Sequence, residues 1–167
     1  MIAIFRARQD SEHASTPSPQ RLAPGTHIAF DSRLVAKLQS DHRELLQSYG
    51  HLAAAAEGRK FASLPGLISV LQTQLQDHLL TEKVKLYVFL AHQFTDDDLT
   101  VGIVRDFQKE MDVIARRALD FMRRYRSTPV GDADLADFRR DLAAIGTALV
   151  KRIQREEEVL YPLYRTL

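Results

Sequence analysis

Three short patterns in this chain could do chemistry. His42 stands between Leu38 and Leu45, His78 is followed four residues later by Glu82, and Arg152 is followed four residues later by Glu156. A spacing of four is about one helical turn, so on helices each pair projects from one face. Imidazole nitrogens and carboxylate oxygens are the donors that hold Fe(II), Mn(II) or Zn(II), and the pattern does not choose among the three. A guanidinium carries a fixed charge and five N–H donors but offers no lone pair. Two readings follow: one divalent ion held by His42, His78, Glu82 and Glu156 with Arg152 bracing the carboxylates, or a metal-free network of ion pairs.

Composition removes most other chemistries. Cysteine is absent, which excludes disulfides, zinc fingers, iron–sulfur clusters and thiol nucleophiles. Tryptophan is also absent and aromatics are 8% of residues, a poor basis for a stacking platform. Lys and Arg total 23 against 22 Asp and Glu, so the net charge of +1 gives no basic field for nucleic acid. Hydrophobic residues are 45% of the 167, enough for one real core. No run approaches the roughly 20 apolar residues that span a bilayer. The apolar start, Met1 to Phe5, is too short for a signal peptide, which leaves the cytoplasm as the expected compartment.

The elements that must position these residues can be read from breaks and periodicity. Residues 9–26 are rich in Ser, Thr, Pro, Gln and Gly, and residues 1–30 read as an arm or linker. His13 and His27 fall in or beside it and are set aside. From Asp31, breaks at Gly58, Ser63-Leu64-Pro65-Gly66, Gln93 to Asp98 and Pro129-Val130-Gly131 leave four helical segments, 31–57, 63–92, 96–127 and 132–166. Thr95 and Asp98 have the spacing of a capping box for the third.

Each segment carries a stripe spaced three and four apart. The first runs Val35, Leu38, His42, Leu45, Tyr49, Leu52; the second Leu71, Leu75, His78, Glu82, Leu86, Phe89. The third runs Val104, Phe107, Met111, Ile114, Ala118, Phe121; the fourth Ile145, Leu149, Arg152, Glu156, Leu160, Leu163. Sustained alternation by two is missing, so the expectation is an all-α domain over 31–167, an antiparallel up-down-up-down four-helix bundle. At about 1.5 Å rise per residue, His42, His78, Glu82, Met111, Arg152 and Glu156 reach one level of that bundle. Tyr49, two turns beyond His42, could reach the same level. His51 and His92 read as surface residues, and of the run Glu156-Glu157-Glu158 only Glu156 continues the stripe.

Ser40-Asp41-His42, Gln76-Asp77-His78-Leu79-Leu80-Thr81-Glu82 and Arg152-Ile153-Gln154-Arg155-Glu156-Glu157-Glu158-Val159-Leu160-Tyr161-Pro162 resemble the hemerythrin-like, HHE cation-binding family over residues 31–166. The resemblance implies a site of two irons between histidines and two bridging carboxylates. His42 and His78 match ligands of the first iron, and Glu82 and Glu156 match the bridges. Phe107, Met111 and Arg152 stand where histidines of the second iron are expected. The resemblance therefore implies half a site: one ion, iron first with Mn or Zn as alternatives, or none, with Arg152 and Met111 in place of the lost half. A role in metal, oxygen or redox response follows from the family. An open coordination position could also activate oxygen or peroxide, yet no acid, base or substrate pocket can be named, so a non-catalytic protein is expected.

A protein-binding regulator is the alternative. Ala144 to Leu149 and the helix end are similar to the regulator-of-sigma-D family, four-helix proteins that sequester a sigma factor. In that reading the buried charges are structural, and the partner is another protein or a second copy of this chain.

Overall fold

The computed structural model describes residues 21–167. They form six α-helices: α1 (Leu34–Glu57), α2 (Leu64–Thr81), α3 (Val88–Gln93), α4 (Asp98–Ser127), α5 (Leu135–Arg155) and α6 (Tyr161–Arg165). One 3₁₀ turn, Phe61–Ser63, leads into α2. A π-helical turn, Glu82–Tyr87, joins α2 to α3 without a break, and a second, Glu156–Leu160, joins α5 to α6. The result is four long rods: α1, residues 64–93, α4, and residues 135–165. Among the described residues there is no strand, only an isolated bridge between Leu22 and Ala29.

Local chemistry explains where the rods begin and end. After α1, the Gly58 N–H closes on Ala54 O and the chain turns through Arg59 at φ 53°. Pro65 sits in the first turn of α2, where its missing N–H costs nothing. The start of α4 differs from the expected Thr95–Asp98 box. Asp97 is the cap, accepting from the Thr100 backbone N–H and hydroxyl, while Thr95 donates back to Ala91 O and His92 O. An Asp one residue before the helix satisfies an otherwise orphaned N–H directly, which Thr95 stands too far back to do. At the other end Thr128 is extended, as a residue before proline must be.

The rods pack in a ring: α1 on α2, α2 on α4, α4 on α5 and α5 on α1. Their apolar stripes form two clusters rather than one. The first holds Leu45, Leu52, Ile68, Leu71, Leu75, Phe121, Phe138 and Leu149. The second holds Leu34, Leu38, Leu86, Phe89, Val104, Phe107, Leu160, Tyr161 and Tyr164. On α1, the second rod and the fourth rod the residues between the two clusters are those that broke the apolar stripe, while α4 presents Met111 and Ile114 there.

Residues 21–30 of the expected arm lie on the second cluster. Gly25 turns the chain at φ +69°, Ala23 is buried, and the Phe30 ring stacks on Tyr164 at 4.8 Å. Residues 1–20, with His13, lie outside the described residues. His27, His51 and His92 are exposed.

The expected stripe of the fourth rod slips by one position. Leu160 is buried, but Tyr161 and Tyr164 are buried beyond it while Leu163 is only partly covered. In the second rod Tyr87 and Leu90 join Leu86 and Phe89 in the core. A π turn accommodates one extra residue and so advances the phase of everything after it.

Candidate metal centre

Five polar side chains are buried together between the clusters: His42, His78, Glu82, Arg152 and Glu156, all at 3% exposure or less. Burying such groups without compensation costs several kcal/mol, so their partners matter. The His42 and His78 rings face each other with centroids 4.7 Å apart. His42 Nε2 lies 3.0 Å from Glu156 Oε2 and 3.1 Å from the Tyr161 hydroxyl. The contact with Glu156 lacks hydrogen-bonding geometry, and Oε2 is left without a partner. Both Glu82 oxygens and His78 Nδ1 are unpartnered as well.

Donor atoms of His42, His78 and Glu156 lie within 4.8 Å of one another. Two atoms bonded to one ion at about 2.1 Å are themselves roughly 3–4 Å apart, so a small closure brings these three into coordination range. Glu82, expected as a fourth ligand, is outside that group of converging atoms, although both its oxygens are buried and unpartnered. A cavity of about 10 Å³, the room of one small sphere, is lined by His42, His78, Met111, Arg152 and Glu156. These residues fit a divalent ion.

Arg152 occupies the other half of the layer. Its Nε donates to Glu156 Oε1 and one terminal nitrogen donates to the Tyr87 hydroxyl. The other faces Glu110 at 3.5 Å, and the guanidinium lies 4.6 Å from the centre of the Phe107 ring. Arg155 stacks on Phe107 too and also donates to Glu110. An aromatic ring and a cation thus fill this half of the layer.

The field of this cluster sets the protonation states. Burial opposes charge on His42, but Glu156 and Glu157 outweigh it and hold its pKa above the usual histidine value. Burial, reinforced by the charge on His42, pushes His78 down to about 4, so its ring is neutral at pH 7. Burial and the negative charge of Glu156 push Glu82 well above the carboxylate range, against the pull of Arg152. Burial would raise Glu156 as well; His42 and Arg152 prevail and keep it ionised.

Tyr49 goes elsewhere. It packs against the first cluster, its ring filling the space that a side chain at position 146 would need, and Gly146 is what permits that approach. Several residues at the site were not among those singled out. Glu157, read as part of a solvated run, accepts from His42 Nδ1 at 2.8 Å, and Asp41 Oδ2 lies 3.8 Å from His78 Nδ1. Tyr87 and Tyr161 are brought in by the π turns. Adjacency to His42, Glu156 and the Tyr161-Pro162 ending was the available signal for three of the four, and nothing in the spacing pointed to Tyr87.

A cluster of this composition inside four helical rods defines a helical protein with a metal-capable core. A model of the Hemerythrin HHE cation binding domain matches residues 33–164, and the chain belongs to that family. No curated protein and no solved structure matches it.

Proposed function

We propose that the protein holds one divalent metal ion, with His42, His78, Glu82 and Glu156 as its ligands and iron as the family's metal. The observation that carries this is the convergence of His42, His78 and Glu156 donor atoms within 4.8 Å, in a layer where Glu82 and Glu156 keep unpartnered oxygens. When bound, such an ion supplies Lewis acidity and, if it is iron, one-electron chemistry. The chain's own residues do the rest. The buried layer keeps water away, Tyr161 places a hydroxyl beside His42, and Arg152 stabilises ionised Glu156 where a second ion would otherwise do so. Met111 lines the small cavity and offers only a weak, soft thioether.

The same reading takes neighbouring rods as antiparallel, in up-down-up-down order. In support, Arg139 near the start of α5 reaches Ala56 O at the end of α1, while Glu156 beyond the end of α5 lies on His42 near the start of α1. Arg124 near the end of α4 likewise pairs with Asp141 near the start of α5. A role in metal, oxygen or redox response is the family's implication for a protein of this kind.

Elemental analysis of protein purified without chelator tests the proposal. One equivalent is expected, lost in a variant carrying His42→Ala and His78→Ala. Two equivalents, or binding that survives both substitutions, would overturn it. Absence of metal from every preparation, with a melting temperature unmoved by chelator, would instead establish a metal-free polar core.

A further inference from the structure

We propose that Glu157 is the positioning residue that decides which nitrogen of His42 faces the metal. The proposal rests on the metal reading above and adds a residue to it. A carboxylate can only accept, so a Glu157 oxygen 2.8 Å from Nδ1 requires the proton on Nδ1. In the neutral ring that leaves the lone pair on Nε2, the nitrogen lying 3.0 Å from Glu156 Oε2 and 3.1 Å from the Tyr161 hydroxyl. Carboxylates placed behind metal-bound imidazoles fix the ring and raise its basicity.

Glu157 is itself held. Arg165 donates to the Gln39 carbonyl oxygen at 2.7 Å, which orients that amide so that its NH₂ reaches Glu157 Oε2 at 3.3 Å. The Glu157 side chain is 34% exposed, so water alone could satisfy it; its turn toward His42 is not forced by burial. The π turn that starts at Glu156 presents consecutive glutamates to His42, one on each nitrogen. His78 has no equivalent: Asp41 stands 3.8 Å from its Nδ1 and is already taken by Lys37 at 2.6 Å.

The test compares the full-length protein with Glu157→Gln and, as a surface control, Glu158→Gln. Nitrogen-15 NMR of the metal-free protein at alkaline pH, where the ring is neutral, reads the His42 tautomer. Anaerobic titration with Fe(II) reads affinity. Wild type is expected to show the Nδ1–H form. Glu157→Gln, whose amide can donate as well as accept, is expected to lose that form and to bind Fe(II) about 10–100-fold more weakly. Its thermal melt and the behaviour of Glu158→Gln should stay near wild type. An unchanged tautomer or an unchanged Fe(II) affinity in Glu157→Gln overturns the proposal. Gln39→Ala, which removes only the amide steadying Glu157, is expected to move both readouts the same way and less. If wild type binds no Fe(II), the metal reading fails, while the tautomer measurement still decides what Glu157 does.

Discussion

Arg152 places beside Glu156 a cation that neither chelator nor pH can remove, because a guanidinium stays protonated throughout the working range. Its three partners, Glu156, Tyr87 and Glu110, and the Phe107 face leave it fully engaged. Replacing it by an apolar residue strips the cation from a buried carboxylate, and breaking a buried pair on one side typically costs about 3–5 kcal/mol. Arg152→Leu is therefore expected to destabilise the metal-free protein by about that amount in urea denaturation. Excess divalent metal should restore part of the loss. No restoration by metal would mean that Arg152 and the ion do not share the same carboxylates. His78 makes the complementary point. Pushed down to about 4 by burial and by His42, it is neutral at pH 7 and already in the state a ligand must have.

At the scale of elements, the two π turns do most of the positioning. Each begins on a carboxylate, Glu82 in the second rod and Glu156 in the fourth. The first ends on a tyrosine and the second is followed by one, both turned into the core, Tyr87 toward Arg152 and Tyr161 toward His42. A regular α-helix would have carried Leu163 inward in place of Tyr164. The cap of α4 is an ordinary exposed feature by comparison. The Thr100 hydroxyl and backbone N–H hold the Asp97 carboxyl below its usual pKa. A carboxylate with a depressed pKa stabilises the fold above the unfolded value and loses that contribution as pH falls through the folded one. Asp97→Ala is thus expected to melt a few degrees lower at pH 7. The gap should narrow as pH drops through the carboxylate range; a constant gap would assign the loss to something other than the charged cap.

At the scale of the whole molecule, the polar layer divides the hydrophobic interior into two clusters, and an ion there would tie all the rods but α4 directly together. Binding to the folded state alone raises stability by RT ln(1 + [L]/Kd), about 2.7 kcal/mol at one hundred times Kd. Metal should therefore raise the melting temperature by several degrees. The rise should also grow with pH from about 6 to 8. His42 and Glu82 both have raised pKa values in the metal-free protein, so metal must displace protons from them, and their release becomes easier as pH rises. A shift independent of pH would show that these two groups are not among the ligands. The amino-acid sequence alone carried the four helical segments, since a stripe at three-and-four spacing is a local property of the chain. It carried the polar layer too, because His42, His78, Glu82, Arg152 and Glu156 interrupt stripes that are otherwise apolar. It also carried the family. What periodicity could not carry was phase after an inserted residue: a π turn leaves no mark in a run that contains neither glycine nor proline, and packing against neighbouring rods decides it. The burial of Tyr87, Tyr161 and Tyr164, the turn of Glu157 onto His42, and the seat of Tyr49 over Gly146 all depend on which side chain meets which across the core. Those contacts lie tens of residues or more apart along the chain, and tertiary structure alone decided them.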